Sequence, residues 1–175
     1  VPVSRAVEIS VTFQTAKLVV RDGWHGPDRV LVDPSTRDDG NSHASIDFAY
    51  PSPDGRYVAY GVSTMGNEDS TTEIIEVEAG RVLRDRIERM VMPMISWRPD
   101  CRSFFYWRKP KPRPDALPAD EFRNTASYLH ILGDDPDAAL PVIAAGTRRL
   151  GLGPDDLTWV EVTPRSHWAL AVAKR

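Results

Sequence analysis

The segment that decides the fold reads Phe48-Ala-Tyr-Pro-Ser-Pro-Asp-Gly-Arg-Tyr-Val-Ala-Tyr60. Apolar residues rich in aromatic rings lie on both sides of Pro53-Asp54-Gly55, which predicts two strands joined by a turn. In such a turn proline presets φ, aspartate can accept hydrogen bonds from nearby backbone amides, and glycine tolerates a positive φ. The segment is therefore predicted to be a β-hairpin.

The hairpin segment is repeated along the chain. A second copy, Ile95–Trp107, follows 46 residues later, with Pro99-Asp100 in place of Pro53-Asp54. A weaker third copy, Trp159–Ala171, lies about 64 residues further on, because a Pro/Lys/Arg-rich insertion around Arg108–Asn124 lengthens the interval. A period in the mid-forties with four strand-like runs indicates the four-stranded blade of a β-propeller.

Strand-like alternation extends over the whole chain, and turn signals separate one run from the next. No stretch shows a helical stripe, and only the charged run Arg84–Arg89 is ambiguous. The sequence therefore predicts an all-β protein, a β-propeller fragment of about three four-stranded antiparallel blades. The predicted strands lie at about 7–14, 16–22, 29–34, 46–52, 56–63, 71–78, 92–98, 103–108, 126–132, 139–145, 157–163 and 167–174.

The predicted blades form a single partial domain over residues 1–175. Residues 1–34 supply the end of one blade, 46–87 and 92–146 each form a blade, and 157–175 start another. Unpaired strand edges at both sides of such a stack are templates for pairing with another chain. We therefore expect that two copies can exchange these outer strands and form a homodimer.

Composition limits the classes of function. The chain has 175 residues, of which 41% are hydrophobic and 27% are charged, as in a soluble globular domain. A net charge of −3 gives no electrostatic basis for binding nucleic acid or an anionic membrane. No secretory signal is evident, so we expect a cytoplasmic protein, with the periplasm as the alternative.

No metal or cofactor is expected. Cys101 is the single cysteine, so no disulfide can form within the chain, and the four histidines are too scattered for a zinc site. The acidic clusters Asp38-Asp39 and Asp134–Asp137 lack the alternating spacing and terminal glutamate of a calcium loop. We interpret both as turn residues, and the basic stretch Arg108–Arg113 as an extended, solvated loop.

Candidate catalytic residues have structural explanations. His25 lies between glycines and prolines and is predicted to be a turn residue. Glu161, Ser166 and His167 supply the residue types of a catalytic triad, but they flank a predicted hairpin turn without an oxyanion hole nearby. Cys101 lies at an exposed turn, without a neighbour that would clearly lower its pKa.

Beyond the repeats, an ordered series of short motifs resembles the propeller of the prolyl oligopeptidase family of serine peptidases. The resemblance covers roughly residues 16–146. A Ser-Pro-Asp-Gly turn alone occurs in many unrelated propellers, whereas the ordered series is much more specific. The matching segments are Arg29–Pro34, Asp38–Gly40, Ser52–Gly61, Gly66–Asp69, Ile74–Glu78, Ile95–Trp97, Phe104–Tyr106 and Asn124–Gly133.

This resemblance implies a seven-bladed propeller that covers an α/β-hydrolase peptidase domain and admits only short peptides to its Ser-Asp-His triad. That peptidase domain would be the partner of this chain, and short peptides its substrates. The chain itself has no G-x-S-x-G nucleophile elbow, because Gly61–Gly66 has one residue too many between its glycines. We therefore expect no catalytic residue and no catalytic domain in this chain.

Two further expectations follow. In the family, an apolar, often aromatic propeller side chain a few residues before the Ile-Ser-Trp motif contacts the substrate. The matching position is Met92 or its neighbour Met94, and methionine departs from the aromatic residue.

The alternative function is a non-enzymatic β-propeller that serves as a binding scaffold. The downstream gene sequence discriminates between the two functions.

Overall fold

The computed structural model describes residues 5–11, 16–23, 25–37, 43–64, 69–163 and 168–175. The described residues form thirteen strands in four antiparallel sheets, with short 3-10 turns and no α-helix. This architecture confirms the all-β prediction.

Each sheet is a meander in which consecutive strands pair with one another, as they do in a propeller blade. Sheet 1 contains β1 Arg5–Val11, β2 Ala16–Asp22 and β3 Asp28–Val32. Sheet 2 contains β4 Ala44–Pro51, β5 Tyr57–Thr64, β6 Ser70–Glu76 and β7 Arg81–Met90. Sheet 3 contains β8 Ser96–Trp97, β9 Ser103–Arg108, β10 Ala126–Ile131 and β11 Pro141–Ala144. Sheet 4 contains β12 Leu157–Val162 and β13 Ala169–Lys174.

Two strands differ from the sequence-based expectation. The ambiguous charged run lies within β7, a ten-residue strand that completes sheet 2. Strand β8 has two residues, because Met92–Ile95 belong to the connection from sheet 2 to sheet 3. The grouping of all 175 residues into one partial propeller domain stays a prediction.

Apolar side chains between successive sheets form two core layers. The layers exist because alternate residues of each strand point to opposite faces of a sheet. The layer between sheets 1 and 2 includes Leu18, Val20, Val32, Ile46, Val58, Tyr60, Val62 and Ile75. The layer between sheets 2 and 3 includes Phe48, Ile74, Ile87, Met90, Ile95, Trp97, Phe104 and Tyr106.

The repeated turns have matching hydrogen bonds. In the first turn, the Asp54 carboxylate accepts a hydrogen bond from the Arg56 amide at 3.1 Å, and Gly55 has a φ of 71°. In the second, the Asp100 carboxylate accepts from the Arg102 amide at 2.9 Å. Cys101 occupies the glycine position of this second turn with a φ of 56°.

The longest connection within one sheet lies at the end opposite the Pro-Asp turns, whereas the β10–β11 connection, residues 132–140, leaves from the Pro-Asp end, where Ile131 pairs with Ser103. In sheet 2, Ser70 pairs with Met90, so β6 begins where β7 ends. In sheet 3, Arg108 pairs with Ala126, and the segment between them, residues 109–125, leaves from that edge. An ion pair from Lys109 to Asp69 brings these two edges together. We call this edge the insertion end, and residues 109–125 the insertion.

Candidate functional site

A cavity of about 750 Å³ lies at the insertion end. The insertion forms most of its wall, and Asp69, Arg89 and Pro154 complete it from neighbouring segments. A volume of this size is within the range of small-ligand pockets, so the cavity is a candidate binding site.

Lys109 fixes the beginning of the insertion. Its side chain is 6% exposed, and its ammonium forms ion pairs with Asp69 and with Glu121 near the other end of the insertion. Burial alone would lower the pKa of Lys109, but the two carboxylates outweigh burial and raise it above its ordinary value. The Phe122 ring, 5.5 Å from the ammonium, adds a cation–π contact.

Arg89, near the end of β7, contacts the beginning of the insertion. Its carbonyl accepts a hydrogen bond from the Lys109 amide at 3.1 Å, and its Nε donates to the Lys109 carbonyl at 3.3 Å. Its φ of 66° lies in the left-handed region, which non-glycine residues rarely adopt. Such strained residues persist where the surrounding contacts determine them.

The two predicted substrate-contact residues follow Arg89 in the connection between sheets 2 and 3. Met92 and Met94 are half-buried, and the Met94 amide donates to the Met92 carbonyl at 2.8 Å. Tyr50 Oη donates to the Pro93 carbonyl at 2.5 Å and holds the connection against β4. Neither methionine lines the 750 Å³ cavity, so their contact with substrate stays a prediction.

The other sequence candidates lie apart from this site. His25 is exposed, and Glu161 accepts a hydrogen bond from Trp159 Nε1 at 2.8 Å, while Ser166 and His167 lie outside the described residues. Burial raises the pKa of the Cys101 thiol.

Neither a metal site nor a membrane span is found in the described part of the chain. No group of three or more His, Cys, Asp or Glu side chains is placed there to hold a metal ion. No helix within the same residues is long and apolar enough to cross a membrane. Asp38 and Asp39 lie outside the described residues, so the interpretation of this pair as turn residues stays a prediction.

A buried hydrogen-bonded pair that the sequence did not indicate joins sheets 2 and 3. His130 Nε2 on β10 lies 2.7 Å from Asp85 Oδ1 on β7, and their side chains are 1% and 4% exposed. Asp85 Oδ1 also accepts the Gly133 amide at 2.6 Å. The two partners are 45 residues apart in the chain, and therefore no local pattern points to the pair.

Four-stranded antiparallel meanders stacked face to face, with a repeated Pro-Asp turn at one end, define this chain as part of a β-propeller. Its sequence matches the prolyl oligopeptidase N-terminal β-propeller domain over residues 10–153. The chain therefore belongs to this family.

Similar proteins agree with this assignment. A prolyl oligopeptidase of Omphalotus olearius is 27% identical over 151 residues, which cover 78% of this chain and 19% of that protein. An uncharacterized peptidase of Sinorhizobium fredii is 32% identical over 87 residues, covering 48% of this chain and 12% of the relative. The chain thus spans about a fifth or less of the length of these relatives.

Solved structures show the same fold at lower sequence identity. A prolyl endopeptidase superposes with a TM-score of 0.83 at 20% identity, over 98% of this chain and 25% of its own. Prolyl oligopeptidase B from Galerina marginata, bound to a 35mer substrate, gives a TM-score of 0.75 at 18% identity, over 91% of this chain and 24% of its own.

Proposed function

We propose that this chain is the substrate-gating propeller portion of a serine-type prolyl oligopeptidase that hydrolyses short peptides. The catalytic triad would lie in an α/β-hydrolase domain outside these 175 residues, and the chain alone would be inactive. The observation that carries this proposal is the family match over residues 10–153.

The insertion end is the face that we assign to the peptidase domain. It brings together the insertion, the cavity and the connection that contains Met92 and Met94. The opposite end has the short Pro-Asp turns and the start of the β10–β11 connection. Loops placed on a rigid scaffold commonly carry binding residues, which supports the assignment.

The test compares this chain with the longer gene product that contains it. Both would be assayed with a short proline-containing peptide and with a folded protein that carries the same peptide in an exposed loop. We expect the longer product to cleave the short peptide after proline and to spare the folded protein, and this chain to cleave neither.

Two results would contradict the proposal. A longer product that cleaves neither substrate would leave the non-enzymatic binding scaffold as the better account. Equal cleavage of the peptide and of the folded protein would remove the gating role while keeping the peptidase assignment.

A further inference from the structure

Three cationic side chains from three segments converge on one carboxylate at the insertion end. Asp137 Oδ1 lies 2.8 Å from Arg108 Nη1 and 3.3 Å from Arg89 Nη2, and Asp137 Oδ2 lies 2.9 Å from Lys111 Nζ. These hydrogen bonds, Lys111 foremost, lower the pKa of Asp137 to about 2. A single aspartate thus holds three segments through charge-assisted hydrogen bonds.

The burial of the cations makes this carboxylate hard to replace. The side chains of Arg108 and Arg89 are only 5% and 14% exposed, whereas those of Asp137 and Lys111 are 43% and 65% exposed. Removal of Asp137 would leave two nearly buried guanidinium groups without their shared counter-charge. The guanidinium of Arg108 cannot move away easily, because it stacks 4.7 Å above the Tyr128 ring and donates to the Pro136 carbonyl at 2.8 Å.

Asp137 is also held in place by contacts of its own turn, independently of the cations. It lies in the 3-10 turn Pro136–Ala138, and the side chain of Asp135 caps this turn by accepting the Asp137 amide at 2.9 Å. The proline at the first position of the turn fixes φ there. The backbone at Asp137 is therefore held by contacts of its own turn.

Each cation belongs to a different segment at the insertion end. Arg89 lies in β7 just before the connection that contains Met92 and Met94, Lys111 lies in the exposed part of the insertion, and Arg108 ends strand β9. Arg89 and Lys111 both line the 750 Å³ cavity. Lys109 also contacts this region, to Asp69 through its ammonium and to Arg89 through its backbone. Asp137 adds the link that reaches Lys111, further along the insertion.

We propose that Asp137 is a positioning residue for substrate selection, because it fixes the insertion and the Met92–Met94 connection at one separation. This inference rests on the proposed function. Asp137 need not touch the substrate, since its effect passes through Arg89 and Lys111 to the walls of the cavity.

The first test uses this chain alone and hydrogen exchange of backbone amides. The variant Asp137→Asn keeps the size of the side chain and removes its charge, and the control Asp134→Asn removes an exposed charge from the same connection. We expect Asp137→Asn to raise the exchange rate of protected amides in residues 91–95 and 109–124 by about tenfold, because local opening becomes easier. Equal exchange in the two variants would overturn the proposal.

The second test uses the longer gene product and separates positioning from mere folding. We expect Asp137→Asn to raise KM for a short proline peptide by about fivefold with kcat unchanged, because only the binding walls loosen. Asp137→Glu, which restores the charge, should recover part of that loss, and Asp134→Asn should match the wild type.

The outcomes also separate this inference from the proposed function. A wild-type product that hydrolyses peptides, with an unchanged KM in Asp137→Asn, would overturn the positioning role alone. A wild-type product without peptide hydrolysis would refute the proposed function, and the positioning role would fall with it.

Discussion

At the residue scale, Cys101 and Gly55 occupy equivalent positions in the two Pro-Asp turns with nearly the same positive φ. A left-handed backbone brings the Cβ of an L-residue close to the following carbonyl oxygen, and glycine avoids this cost. We expect Cys101→Gly to raise the free energy of unfolding by about 1 kcal/mol in a urea titration.

The matched control for this prediction is Gly55→Ala. No heavy atom lies within 4 Å of the position that a Cβ would take at Gly55, so the change tests backbone strain alone. It should lower the free energy of unfolding by about the same 1 kcal/mol. If the two substitutions change stability in the same direction, left-handed strain is not the cause.

Met92 and Met94 provide a second prediction at this scale. In the longer gene product, Met92→Ala and Met94→Ala should each raise KM for a short proline peptide by about threefold, because an apolar contact to the substrate is lost. The control is Val82→Ala, an exposed apolar residue toward the other end of sheet 2. An effect of Val82→Ala equal to theirs would show that the methionines act through stability alone.

At the element scale, β7 shows what the sequence could not reveal. Apolar alternation predicted most strands of the fold, but the run Arg84–Arg89 in β7 is charged except for Ile87. One of its buried positions is Asp85, which is hydrogen-bonded to His130 of the next sheet. Because the partner of this buried aspartate lies 45 residues away, the local sequence of β7 does not reveal that Asp85 points into the protein.

The candidate site was even harder to predict from the sequence than strand β7. The resemblance pointed to Met92 and Met94, whose contact with substrate stays a prediction. The interpretation of Arg108–Arg113 as a solvated loop was wrong for Arg108, which ends β9, and for Lys109, since both are buried, whereas residues 111–113 are exposed. The contacts of Lys109 and Asp137, however, join segments that are far apart in the chain. Charged residues are common on surfaces, so their types alone do not indicate which of them pair.

The Asp85–His130 pair also predicts how strongly sheets 2 and 3 are held together. Asp85→Ala should lower the free energy of unfolding by about 3 kcal/mol, because it leaves a buried imidazole without its partner. The neighbouring exposed Arg84→Ala should change it by less than about 0.5 kcal/mol. Equal effects in thermal or urea unfolding would contradict this role of the pair.

The same pair gives a pH dependence with a defined sign. Burial would raise the pKa of Asp85, but hydrogen bonds from His130 and the Gly133 amide outweigh burial and lower it. The resulting stability is present above the unfolded pKa of about 3.9 and is lost as the pH falls through the lower folded value. The stability difference between wild type and Asp85→Asn should therefore shrink in urea titrations below about pH 4, and a constant difference would refute this assignment.

At the scale of the whole molecule, the sheets are stabilised by the layers between them. Sheet 2 contributes to both layers, one on each face. A blade that buries apolar side chains only against its neighbours is not expected to fold by itself. We expect a peptide of residues 44–90 to be unfolded by circular dichroism while the whole chain unfolds cooperatively, and a cooperative transition of the peptide would contradict this.

Association of two copies is a prediction at the same scale. Strands β1 and β13 each pair on one side only within the described residues, and free strand edges favour pairing with another chain. Light scattering of the purified chain would show twice the mass of one copy if outer strands are exchanged. A single species with the mass of one copy, 19.6 kDa, would refute the exchange.

The register of the insertion has a practical consequence for protein engineering. Arg108 and Ala126 are paired, so the insertion leaves and re-enters sheet 3 at points about 5 Å apart. The entropy of closing a loop between two such points grows only slowly with its length. Residues 112–119 are all exposed, and a fluorescent reporter could replace them while Lys109, Lys111 and Glu121 remain. The propeller would then become a biosensor whose signal follows local opening of its own insertion end.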